Sequence, residues 1–339
     1  MAIRKNRAAF HVVLVLAILT GCKHPSTPEP DPQPPTPTAI WTTKAAIPTA
    51  RYGAAAALVG SKIYVIGGMI GDGSISTAVE AYDTITDAWT SLSASDPLPL
   101  GLFEASAAAY SGKLYVFGGR DNSQVYDRIY CFDPSQASGS RWILLGPTLS
   151  GNRFGAAVAI SNGVAYLCGG DTGVGTTTSV DRIDLRTNPV VVTADEAMPT
   201  ARSLHVAAAN GGIIYTLMGS EASYVNTVKR FDPAEAMGSR WSSAGTTTPR
   251  ALNEAAADVA SGKAYLFGGR DNVSTNGSTY TQVFDPAGPS AVEKTAMPSA
   301  RFGACALSAY GAIYVIGGAS SADGSSVLSV VEQYYPPLD

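Results

Sequence analysis

Ile63-Tyr64-Val65-Ile66-Gly67-Gly68 decides the fold, because the chain repeats this run five more times. The later copies are Leu114 to Gly119, Ala165 to Gly170, Ile214 to Gly219, Ala264 to Gly269 and Ile313 to Gly318. Their tyrosines, Tyr64, Tyr115, Tyr166, Tyr215, Tyr265 and Tyr314, step by 51, 51, 49, 50 and 49 residues, and Met218 replaces the first glycine in the fourth copy only. A fixed period of this length marks a supersecondary unit that buries its apolar faces by stacking against its neighbours.

Outward from each glycine pair the same segments recur. An Ala-rich stretch such as Ala54-Ala55-Ala56-Ala57 precedes it; a strand ending near an acid, as in Val79-Glu80-Ala81-Tyr82-Asp83 or Val283-Phe284-Asp285, follows, often with a Trp segment after that. Gly, Pro, Asn and Asp punctuate these runs, which is a strand and turn pattern. Charged residues are only 15% of the 339, with 35 glycines, as suits many short strands. Four strands per unit describe a propeller blade, so residues 40–339 are expected to form an all-β ring of six four-stranded blades. The alanines suit the innermost strand, where six strands converge and only small side chains fit. Trp89, Trp142 and Trp241 fall on the outer strands of blades 1, 2 and 4, whereas blades 3 and 5 offer Val190-Val191-Val192 and Ala291-Val292. After Gly318 one further strand remains, Val327 to Tyr335, so the Trp41 segment is expected to complete blade 6 and remove the ring's open edges.

The order Gly-Gly, aromatic, Trp resembles the kelch repeat over nearly all of residues 40–339. That resemblance implies a binding scaffold sooner than an enzyme, although a propeller by itself implies neither function.

Residues 1–21 stand apart. Arg4, Lys5 and Arg7 precede an apolar stretch, Ala8 to Leu19, too short to span a bilayer comfortably, which reads as a signal peptide. Leu19-Thr20-Gly21-Cys22 resembles the lipobox of bacterial lipoproteins, which implies cleavage before a lipidated Cys22 and a place in the bacterial cell envelope. Lys23, where some such proteins carry a retention Asp, leans toward the outer membrane. Seven prolines between residues 23 and 39 favour polyproline II at about 3.1 Å per residue, so residues 22–39 read as a lipidated Cys on a stalk reaching roughly 50 Å. Removing residues 1–21 takes three cations from 23 basic and 27 acidic side chains, leaving a net charge of −7. Nucleic acid is therefore a poor partner for the surface as a whole, and the membrane is reached through the anchor only. Cys131, Cys168 and Cys305 lie in apolar strands and read as buried free thiols.

Of three histidines only His205 lies in the folded part, which makes a His-rich zinc site, a Ser-His-Asp triad or a copper site of the galactose oxidase kind hard to build; no metal or cofactor is expected. Thirteen residues before each tyrosine stand Arg51, Arg153, Arg202 and Arg301 in blades 1, 3, 4 and 6, but Leu102 and Leu252 in blades 2 and 5. Blades 2 and 5 alone carry Glu104 and Glu254 two residues later, and alone continue their glycine pairs as Arg120-Asp121-Asn122 and Arg270-Asp271-Asn272. Three apart in a ring of six, these blades face each other across the axis. Antiparallel topology puts all six arginines at one mouth of the channel, with the glutamates on the strands about 6 to 7 Å further in. In kelch propellers of the Keap type, arginines at both positions line a ligand mouth, which implies that role for Arg51, Arg120, Arg153, Arg202, Arg270 and Arg301. Guanidinium forks suit an anionic glycan or an acidic protein segment. The alternatives are arginines that only tie adjacent blades together by pairing with a neighbouring acid or backbone carbonyl, and a weak pair of catalytic carboxylates, Glu104 and Glu254, in an envelope sugar-processing enzyme such as a sialate mutarotase.

Overall fold

The computed structural model describes residues 40–337. Within them lie six four-stranded antiparallel sheets and no helix, arranged as the expected six-bladed propeller. The expected signal peptide, lipidated Cys22 and stalk lie outside the described residues.

The innermost strands are Ala55–Val59, Ser106–Tyr110, Ala157–Ser161, Val206–Asn210, Ala256–Ala260 and Cys305–Ala309. Their alanines line an axial channel of small cavities of about 210 and 250 Å³, so the small side chains are there because six backbones converge. The second strands, such as Lys62–Ile66 and Val164–Cys168, are buried almost continuously, because neighbouring blades cover both faces. Aromatic pairs join five of the six interfaces: Tyr64 with Phe132, Tyr166 with Phe231, Tyr215 with Phe284, Tyr265 with Tyr334 and Tyr314 with Tyr82, ring centroids 5.1–5.8 Å apart. Between blades 2 and 3 Tyr115 instead shares a core with Ile183.

The glycine pairs answer a close approach between blades. A Cβ on Gly67, Gly169 or Gly268 would stand 2.4, 2.3 or 2.2 Å from the carbonyl oxygen of Leu102, Arg202 or Arg301 in the next blade. The second glycine of each pair, at φ near +90 to +103, donates its N–H to the corresponding carbonyl of the next blade at 2.8–3.0 Å. Met218 takes the first position in blade 4 at φ 57, buried, where a side chain in left-handed backbone costs about 1 kcal/mol.

Ile40–Lys44 pairs antiparallel with Val331–Tyr335 and completes blade 6, with Trp41 opposite Tyr334. The last strand is shorter than expected: Val327 forms an isolated bridge to Ala319 instead. The Trp41 ring lies 4.8 Å from Tyr334 and 5.6 Å from Phe267 of blade 5, so the latch reaches across a blade boundary. Deleting residues 40–46 should therefore expose a strand edge and empty an aromatic site, lowering stability by several kcal/mol. Thermal unfolding checks this, and an unchanged Tm would mean that the ring closes by another contact.

Candidate functional site at the axial mouth

Six residues, one per blade, encircle the axis just ahead of the innermost strands: Gly53, Glu104, Gly155, Leu204, Glu254 and Gly303. Each has φ between 51 and 60. In that conformation each N–H points at the preceding blade, and six backbone hydrogen bonds of 2.7–3.0 Å run from Gly53 N to Gly303 O and onward until Gly303 N meets Glu254 O. Glu104 and Glu254 thus belong to this left-handed collar. They do not lie on strands deeper in the channel, as sequence spacing suggested, because their backbone turns before the strand begins.

Arg120 and Arg270 follow the glycine pairs and come to the collar, as expected. Arg120 Nε donates to Glu104 at 3.0 Å and its guanidinium lies between the rings of Phe103 and Phe154, 4.8 and 4.6 Å from their centroids. Arg270 lies over Phe302 at 3.4 Å and pairs with Glu254 at 3.4 Å. Tyr52 joins these rings edge-on, 5.2 Å from Phe103 and 5.6 Å from Phe302. The mouth is therefore backed by an arc of Phe302, Tyr52, Phe103 and Phe154 over blades 6, 1, 2 and 3, with Arg270 over Phe302 at one end and Arg120 between Phe103 and Phe154 toward the other. Sequence reading missed these aromatics, although they stand in one column, directly after the Arg or Leu position.

Burial raises the carboxyl of Glu254 to about 7, Glu104 nearby adding to the effect and Arg270 opposing it. Burial also raises Glu104, against the pull of Arg120. The cavity bounded by the two glutamates and the collar holds only about 110 Å³.

The other four arginines are corrected by the structure. Arg51, Arg153, Arg202 and Arg301 are at most 2% exposed and turn into their own blades, not to the mouth. Arg51 pairs with Glu80 at 2.5 Å, Arg153 with Asp181 at 3.1 Å and Arg301 with Glu332 at 2.8 Å, each acid being the second residue of the third strand. Arg202 meets Glu221 at 2.7 Å and Thr227 Oγ1 at 2.6 Å, because blade 4 carries Lys229 where the others carry the acid. Withdrawn from solvent and held by carboxylates, these guanidinium groups present nothing to the mouth, so these four are strand clamps. Arg250 stays outside the ring, stacked on Tyr280 and paired with Glu293.

His205 occupies a tier whose other members are Ala54, Ala105, Ala156, Ala255 and Ala304. Its imidazole is 6% exposed, neither nitrogen has a hydrogen-bond partner, and burial with Arg202 close by lowers its pKa to about 3. It is a neutral packing group, in keeping with a structural role. Cys131, Cys168 and Cys305 are free and buried, as expected.

Two outcomes follow from these charges. Arg51→Leu alone should cost about 3–5 kcal/mol, since it strands Glu80 in the interior. Adding Glu80→Gln, which reproduces the Leu252 and Gln282 of blade 5, should recover most of that loss in urea unfolding. For Glu254 the folded pKa lies above its unfolded value, so the folded state holds the extra proton and stability falls as pH rises from about 4.5 to 7. Glu254→Gln should flatten that slope in melting curves from pH 4 to 8; an unaltered slope would place the proton elsewhere.

Residues 37–219 match the KLHDC2/KLHL20/DRC7 Kelch-repeats domain. Kelch-like protein terF of Aspergillus terreus is 27% identical over 306 residues, covering 84% of this chain and 64% of its own length. Kelch-like protein 25 of Xenopus tropicalis is 28% identical over 188 residues, 53% of this chain and 30% of that protein. The chain thus spans less than two thirds of these curated relatives. The solved structure of YjhT superposes with a TM-score of 0.71 at 16% identity, over 84% of this chain and 95% of that one, a likeness of fold. With a repeat model matched over more than half its length and six blades in place, the chain belongs to the kelch-repeat family.

Proposed function

We propose that this kelch propeller is a non-catalytic binding module whose axial mouth takes a carboxylate-bearing partner, an acidic protein segment or an anionic glycan. One observation carries the reading. Arg120 spends only its Nε on Glu104, and among the described residues neither terminal nitrogen has a partner, while its side chain stays 34% exposed. Two aromatic faces hold that guanidinium flat, so a carboxylate would meet a preset fork and little side-chain freedom would be lost on binding. Arg270 stands at the other end of the arc, and a protonated Glu254 would leave the mouth more positive below pH 7.

In this reading Cys22 is lipidated and residues 23–39 hold the propeller off a bacterial membrane, the outer one given Lys23. The sugar-processing alternative, a sialate mutarotase for instance, has less support. The cavity at Glu104 and Glu254 is about 110 Å³, against roughly 300–1,000 Å³ for small-molecule sites.

Arrays of acidic peptides and of uronate or sialylated glycans, read beside neutral counterparts, test the proposal. Arg120→Ala, read at temperatures where it stays folded because it leaves Glu104 unpaired and lowers the Tm, should weaken the captured acidic ligand by about ten- to a hundredfold, and added salt should weaken it further. Equal binding of neutral and acidic probes, or an Arg120→Ala protein that binds as before, would sink it.

A further inference from the structure

The six interfaces between blades are not closed alike. At four of them an indole on the outer strand fills the gap and its Nε1 donates to a backbone carbonyl: Trp89 to Ala45, Trp142 to Asp96, Trp241 to Glu196 and Trp41 to Thr295, at 2.8–3.3 Å. Each of those carbonyls lies two residues ahead of a buried apolar side chain, Ile47, Leu98, Met198 or Met297. By the same count the acceptor between blades 2 and 3 is Pro147, two residues ahead of buried Leu149. No donor among the described residues bonds to the Pro147 carbonyl.

Three departures coincide there. Val192 stands opposite Ile183 in the register where Trp89 faces Tyr82 and Trp142 faces Phe132, so both rings are missing. The neighbouring interfaces also pin a hairpin with acids: Asp96 accepts the Gly139 N–H and pairs with Arg141, and Glu196 accepts the Gly238 N–H. Leu145-Gly146-Pro147 offers no acid, and Arg186 of the blade 3 hairpin folds back on Asp184. Blade 5 lacks its Trp too, but keeps Phe284 on Tyr215, and the outer strand of blade 4 is extended over Trp241–Thr247.

The result is a cleft of about 550 Å³ between blades 2 and 3, on the side of the disc away from the glycine-pair loops. Tyr115, Cys131, Leu145, Pro147, Leu185 and Val190 wall it, and Ile143 and Leu144 stand at its edge 53% and 54% exposed. That volume lies within the range of small-molecule sites.

We propose that this cleft binds a small planar aromatic molecule of the indole class, its ring among these apolar side chains and its N–H on the Pro147 carbonyl. The occupant's chemistry is read from the four equivalent interfaces, where the protein fills the same place with its own indole. The site is separate from the axial mouth and does not rest on the function proposed for it.

Calorimetric titration of the protein with indole and with 1-methylindole, which has no N–H, tests the assignment. Indole should bind saturably, 1-methylindole at least five times more weakly, and Arg120→Ala should leave both unchanged. Val192→Trp should abolish binding and raise Tm by supplying the missing ring. Should that variant fail to fold, mass spectrometry of slow thiol alkylation keeps the question open to decision: indole should slow modification of Cys131 several-fold and leave Cys168 and Cys305 unaffected. No saturable binding, equal affinity for the two indoles, or an unprotected Cys131 would overturn the proposal.

Discussion

Everything else in the molecule hangs on six backbone hydrogen bonds that close on themselves around the axis. A linear ladder always leaves a donor and an acceptor at its ends, whereas the collar from Gly53 to Gly303 leaves none. Closure requires each member to adopt left-handed backbone. Three glycines do so freely; Glu104, Leu204 and Glu254 do so at a cost on the order of 1 kcal/mol each. The two glutamates are thus held where the chain is strained and where water is scarce, and each is matched to an arginine arriving from the glycine-pair loop of its own blade. Charge at the mouth follows from the geometry of the collar.

The arginines divide by partner. In blades 1, 3 and 6 the acid that neutralises the clamp comes from the third strand of the same blade, so guanidinium and carboxylate are desolvated together and burial lowers Arg51, Arg153 and Arg301 from the usual arginine range without discharging them. Blades 2 and 5 replace the clamp with leucine and move the arginine to the loop, where it meets an aromatic face and remains partly wet. One repeat position serves cohesion and the other is free to serve recognition.

The ring, its six copies and its latch were legible because period and strand pattern are local in sequence. The fate of the arginines was not, although a signal existed: Glu80, Asp181 and Glu332 occupy one column in three of the four blades that have the clamp, and Tyr130 and Gln282 occupy it in the blades that lack it. Reading the two arginine positions without that acid column put all six cations at one mouth. Left-handed backbone at Glu104 was hidden for a different reason, since only the glycines sharing its column, Gly53, Gly155 and Gly303, report the conformation. The cleft between blades 2 and 3 could be suspected from Val192, but its openness depends on Ile183 and Pro147 acting together, which no single blade displays.

The latch also orders events in time. Thr42 and Gln333 meet although 291 positions apart in the chain, so the first strand of the propeller has no partner until the last has been made. At about 5–20 residues per second this wait lasts roughly 15 to 60 s. During it, five blades can assemble from neighbouring hairpins while blade 6 is still being synthesised, and Trp41 remains an exposed ring on an unpaired strand. The ring is therefore completed only once Val331–Tyr335 has been made, and the interval before it is when the nascent chain is most open to pairing with a strand that is not its own.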